Sequence, residues 1–278
     1  MHKLKIIFLV AIFIPIISYA TPKKIYLQNG IVEVDVLVND SIEARFGIDT
    51  GADRLYISKS FADEYGIDYT RAAGQRFIQT NFGSAEPHDA VLSSLKLNNE
   101  FELFDYNVTV IDFINITRDT IDGLAGLIGN QVLKDYFITI DYSEEWIDIS
   151  KKRPRFLATA NSVEIPFSWY QDQMIVTVTI GNIMTFPMVF DFCASNTVIS
   201  KEAGELIGID EDLNMVRLNQ IDLSGLVIND RVVTRVMDLN PLKNRMRTSG
   251  IEGVLGMSFL KDYTITIDYK SQIIYFQR

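Results

Sequence analysis

The sequence predicts an all-β protein built from two homologous lobes, and three observations carry that prediction. The first is an internal repeat. An offset of 142 carries Asp49 to Asp191, Ala52 to Ala194, Ile57-Ser58-Lys59 to Ile199-Ser200-Lys201, and Gly66-Ile67-Asp68 to Gly208-Ile209-Asp210. The offset then shortens to 131, pairing Leu95 with Leu226, and to 127. That last value pairs Gly126-Leu127-Ile128-Gly129 with Gly253-Val254-Leu255-Gly256, and the run 133–142 with 260–269. Two copies of such length mean lobe duplication rather than a repeat array. The second observation is strand-like alternation, at residues 31–38 and 175–180, each run followed by a turn at Asn39-Asp40 or Gly181-Asn182. The third is the scarcity of helix: helices look few and short, and 58–65 and 200–207 each open on a Ser that can cap and end before a Gly.

Taken in order, the chain opens with Lys3 and Lys5, an apolar run at 6–17 interrupted by Pro15, and Ser18-Tyr19-Ala20. This reads as a signal peptide, residues 1–20, cleaved after Ala20 on export to a periplasm or the extracellular space. The run is short for a membrane span, and no later segment approaches that length, so no span is expected after cleavage. A first lobe follows at 21–150. A basic, aperiodic stretch at 151–163 reads as linker, and a second lobe occupies 164–278. The pairs 138–142 with 146–149 and 265–269 with 273–276 read as matching terminal hairpins of the two lobes. The first lobe carries eleven residues more than the second between Asp68 and Leu95, around 74–89. They include Phe77, Asn81, Phe82, Gly83 and Pro87, and read as a hairpin that closes over a shared cleft. His88 falls in this stretch and reads as exposed.

Composition narrows the function. The formal charge is −10, or −12 once Lys3 and Lys5 leave with the signal, which argues against nucleic acid or an anionic membrane as partner. The one cysteine, Cys193, excludes an intramolecular disulfide, so a core must supply the stability. With His2 in the signal and His88 alone beyond it, neither a Ser/His/Asp triad nor a His-based metal site is available, and no metal or cofactor is expected.

The chemistry-bearing residues are two matched acidic motifs. Ile48-Asp49-Thr50-Gly51-Ala52 ends one apolar strand and Phe190-Asp191-Phe192-Cys193-Ala194 another, each answered later by an apolar-apolar-Gly element ending at Gly129 or Gly256. On these motifs the chain resembles the bacterial exported aspartyl-protease-like proteins of the two-lobed pepsin and retropepsin clan, over essentially the whole length after the signal. The resemblance implies that Asp49 and Asp191 face each other across the lobes and hold a water between them. It implies a monomeric aspartic-type endopeptidase acting on polypeptide. Thr50, Gly51, Ala52, Phe192, Cys193, Ala194, Gly129 and Gly256 would support the dyad. Phe77, Asn81, Phe82 and Gly83 would form the substrate lid. Two carboxylates at about 3 Å share one proton, which suits general acid–base hydrolysis. In the family the Thr hydroxyl ties the two loops together. Phe192 and Cys193 depart from the Thr-Gly pattern, which leaves a non-catalytic peptide-binding module as the alternative function.

Overall fold

The computed structural model describes residues 21–28, 30–72, 74, 77–79, 84–115, 123–154, 157, 162–210, 212–228, 231–248 and 250–277. The signal segment 1–20 and Asn81, Phe82 and Gly83 of the lid lie outside them. The protein is mostly β and folds as two barrel-like lobes. Strands from Lys23–Gln28 to Trp146–Ser150 build the first, and strands from Val163–Pro166 to Ile273–Gln277 the second.

The lobes meet in a shared antiparallel sheet. Strand Phe137–Asp141 of the first lobe pairs with strand Thr264–Asp268 of the second, with Ile138 opposite Ile267, Thr139 opposite Thr266 and Ile140 opposite Ile265. The register is symmetric about its centre, each residue on one side of Thr139 facing the copy of the residue equally far on the other side. Thr139 faces its copy Thr266 directly, and their hydroxyls share a 3.0 Å hydrogen bond on the pseudo-twofold axis. Ile138, Ile140, Ile265 and Ile267 are fully buried and join one continuous apolar core beneath both lobes. Burial of β-branched side chains on a pleated surface is what this composition favours.

Within each lobe the same knot recurs. Strand Gly126–Ile128 lies parallel to Ile42–Ile48 and antiparallel to Tyr56–Ser58. In the second lobe Gly253–Leu255 lies parallel to Met184–Phe190 and antiparallel to Thr197–Ser200. The loop carrying each Asp is thus held between two strands by a third. The predicted helices form as Lys59–Glu64 and Lys201–Leu206. Their Ser caps accept from Phe61 N at 3.1 Å and Ala203 N at 2.9 Å. Each helix is followed by a left-handed glycine, Gly66 or Gly208.

The extra segment of the first lobe is a hairpin of smaller extent than the sequence suggests. Ile78 pairs with Ala85 and Gln79 with Ser84, in a two-stranded sheet of its own. His88 and Asp89 instead begin the long strand His88–Lys96. His88 is not the exposed lid residue that the sequence suggests: it is half-buried and packs edge-on against Tyr69 at 5.2 Å. The core strand continues to that point because Ala90, Leu92 and Leu95 point inward along the barrel wall.

Candidate active site

Each Asp leaves its strand with its amide tied to the crossing strand: Asp49 N donates to Ile128 O at 3.0 Å, and Asp191 N to Leu255 O at 3.1 Å. The loops that follow rest on the glycines that end those strands. A Cβ at Gly256 would lie 2.5 Å from the carbonyl oxygens of both Ala194 and Asn196, and one at Gly129 would run into those of Arg54 and Ala52. Only bare backbone fits there. Asn130 N and Met257 N then donate to Ala52 O and Ala194 O at 2.9 and 2.8 Å, closing both loops alike.

The loops converge between the lobes. Gly51 N donates to Asp49 Oδ1 at 2.8 Å and Cys193 N to Asp191 Oδ1 at 2.7 Å. A Cβ added at Gly51 would sit 2.5 Å from Asp191 Oδ2, so the backbone of one loop lies against the carboxylate of the other. Both carboxyls titrate above the ordinary carboxylate range. Burial is the main cause for Asp49, followed by the charge of Asp191, while the Gly51 and Ala52 amides and the charge of Arg245 work the other way. Burial also raises Asp191, opposed by the Cys193 amide, Arg245, and the Gly51 and Ala194 amides. The two loops meet at these groups, and the charge of Asp191 acts on Asp49.

Of the two matched positions, 50 and 192, only Thr50 supplies a hydroxyl to tie the loops together. Its buried hydroxyl donates to Phe190 O at 3.1 Å and accepts from Phe192 N at 2.9 Å. Phe192 offers no hydroxyl in return. Its ring is fully buried between the lobes, 5.2 Å from that of Phe190 and 6.4 Å from that of Tyr142. Other side chains, which the sequence motifs do not single out, supply the missing ties. Asn130 Nδ2 donates to Thr50 O at 2.7 Å and to Asp172 O at 2.9 Å, and Tyr269 OH donates to Asn130 Oδ1 at 3.2 Å. Gln173 Nε2 donates to Gly51 O at 2.9 Å. The sequence does hold a signal for them: the repeat sets Asn130 against Met257 and Gln173 against Ile31, so these are positions where the copies disagree.

Cys193 is half-buried and packs on the first lobe's cluster of Ile31, Tyr56, Ala85, Ile111, Phe113, Leu124 and Leu127. Burial, followed by the charges of Asp49 and Asp191, holds its thiol well above the usual thiol range. Ala52 and Ile78 pack on the same cluster, which seats the base of the hairpin beside the Asp loops. Phe77, just before that hairpin, is exposed. Ala194 is half-buried in its loop. Asp53 is a structural ligand: it accepts from Tyr56 OH and pairs with Arg54 at 2.8 Å. Asp141 likewise caps its own turn and accepts from Thr264 across the lobes at 2.8 Å. Among the described residues no cluster of His, Cys, Asp and Glu could hold a metal ion, and no helix is long and apolar enough to cross a membrane.

Comparison with known proteins bears on the family of the first lobe and on the fold. Residues 34–132, which include Asp49 and Gly129, match the family model described as aspartyl protease. The fold is similar to the crystal structure of an aspartic proteinase from Irpex lacteus, with a TM-score of 0.61 and 12% identity, covering 93% of this chain and 97% of that one. It is equally similar to Basic 7S globulin from soybean, at 0.60 and 12%, covering 93% and 96%. No curated protein matches the sequence. Over its first lobe the chain therefore matches the aspartyl protease family, and as a whole it has the two-lobed, mostly β fold of pepsin-like aspartic proteinases.

Proposed function

We propose that this protein is an exported, monomeric aspartic endopeptidase of bacterial type, with Asp49 and Asp191 as its catalytic dyad. Residues 1–20 would be removed on export, leaving lobes 21–150 and 164–278 joined by 151–163. One observation carries the reading: two mirrored carboxyls at one cleft, each raised by burial and each also served by loop amides that stabilise its ionised form. Such a pair holds one proton between two sites. The ionised member takes a proton from water as the water oxygen bonds to the scissile carbonyl carbon. The protonated member gives its proton to the carbonyl oxygen. Collapse of that intermediate re-forms the carbonyl, breaks the C–N bond and delivers a proton to the leaving amine. The peptide lies extended in the cleft, pairing with the lid hairpin by strand addition.

Neither Ala52 nor Ala194 has a hydroxyl to donate to the carboxylates, and burial raises both, so activity belongs at weakly acidic to neutral pH. A pH–rate profile peaking below about 3 would sink this point. A second reading, a non-catalytic peptide-binding module, is favoured by Cys193, which puts a side chain into the Asp191 loop where the other loop has glycine.

The test is cleavage of a diverse quenched-peptide library between pH 3 and 8 by the wild type, Asp49→Asn, Asp191→Asn and Cys193→Gly. Loss in both Asn variants, to below about a thousandth of the wild-type rate, supports the dyad, as expected when residues act as a unit. Cleavage that survives either variant contradicts it. A folded wild type that cleaves nothing, with Cys193→Gly restoring turnover, favours the binding module.

A further inference from the structure

The helix Asn240–Met246 stands on the strands that carry Asp191. Its buried Leu242 and Met246 pack against Ile175, Val189 and Ile251, with Val254 against the same cluster. Val189 lies two residues before Asp191, and Val254 two before Gly256. The helix is fixed from several sides. Lys243 Nζ is 3.0 Å from both oxygens of Glu252, Gln171 Nε2 donates to Met246 O at 2.8 Å, and Tyr170 OH donates to Arg247 O at 3.3 Å. Arg245 projects from this fixed platform. It is exposed and has no ion pair or hydrogen bond among the described residues, yet its charge bears on both Asp49 and Asp191.

An exposed guanidinium, without a partner among the described residues, on a helix packed against the strands that lead to Asp191 and Gly256 can receive a carboxylate. We infer that Arg245 selects substrates, favouring peptides with an Asp or Glu side chain close to the scissile bond. This rests on the reading of the cleft as a peptide site. The chain's overall negative charge acts against such substrates, but exposed charges beyond about 10 Å are largely screened at physiological salt. A direct Arg–carboxylate pair is a strong, charge-assisted contact and outweighs that distant repulsion. Arg is also suited to the task, since its planar fork matches a carboxylate in two-point fashion.

The experiment compares kcat/KM for peptide pairs that differ only in Glu against Gln, placed in turn at each position flanking the scissile bond. Wild type should favour the Glu member at one position by roughly tenfold, the scale of one well-placed contact. The ratio should fall close to one in Arg245→Gln and be partly kept in Arg245→Lys. It should also fade below about pH 4, where Glu protonates. An equal ratio in wild type and Arg245→Gln overturns the inference, even if the pH–rate profile moves, because that result leaves Arg245 acting only on the dyad. Should wild type cleave no peptide, the catalytic reading fails by itself. Fluorescence anisotropy of labelled Glu and Gln peptides then reads the same preference as binding. Tighter Glu binding that Arg245→Gln abolishes upholds the inference, whereas equal binding, or none, overturns it.

Discussion

Tyr142 and Tyr269 occupy equivalent positions in the repeat but meet different neighbours. Tyr269 OH donates to Asn130 Oδ1, whereas the repeat puts Met257 where Tyr142 would need an Asn, and the buried Tyr142 hydroxyl has no partner among the described residues. Deleting an unpaired buried hydroxyl removes a desolvation penalty, while deleting a paired one orphans its mate. Tyr142→Phe should therefore be neutral or stabilising by up to about 1 kcal/mol, and Tyr269→Phe should cost roughly 1–3 kcal/mol. Urea denaturation midpoints measure both; equal losses in the two variants would contradict the assignment. The same logic runs through the site. Thr50 against Phe192, Gly51 against Cys193 and Gln173 against Ile31 are all mismatches of the repeat, and each lies where one lobe grips the other.

The two Asp loops are held by three short strands each, and their geometry depends on the glycine beneath. Gly256→Ala would push a methyl to 2.5 Å from two backbone carbonyls that have little room to move. Overpacking of this kind costs about 1–3 kcal/mol. Because the strain falls on the loop of Asp191, peptide cleavage should fall far more steeply than the melting temperature; parallel losses would show that the loop had merely unfolded with the rest. These elements are largely legible in the sequence. Alternation marks the strands, Ser and Gly mark the ends of Lys59–Glu64 and Lys201–Leu206, and the repeat pairs Asp49 with Asp191. What local pattern hides is the reach of single side chains across lobes. Asn130, Gln173 and Arg245 sit in stretches that look ordinary, and the partners of Asn130 and Gln173 in the bonds that matter are 42 or more positions away. The hairpin is shorter than the sequence suggests for a related reason. Apolar residues from Ala90 onward serve the barrel, and no local cue separates that strand from the hairpin before it.

At the scale of the molecule, the raised carboxyls tie stability to pH. Burial lifts Asp49 and Asp191 above their unfolded values, so the native state keeps protons that the unfolded chain has released. That contribution is complete below about pH 4 and is lost as pH climbs through the native values. The loss is about 1.4 kcal/mol for each pH unit by which a native value exceeds the unfolded one. Asp49→Asn should therefore melt higher than wild type at neutral pH, with the gap narrowing toward pH 4. Asp148, pushed up to about 6 by burial and then by Glu100, titrates over the same range in both proteins and cancels in the difference. Thermal melts at pH 4, 6 and 8 check this, and a gap independent of pH would refute it. The shared sheet has a further consequence. Under the proposed function, with that sheet as the base of the cleft, the pairing of Thr139 with Thr266 makes the base read the same from either end. A peptide laid over such a base would have no reason to prefer one N-to-C direction. The hairpin at Ile78–Gln79 and Ser84–Ala85, which has no counterpart among the described residues of the second lobe, gives the cleft a head and a tail. Polarity, under the proposed function, is thus decided above the axis, by the parts of the chain in which its two copies have ceased to agree.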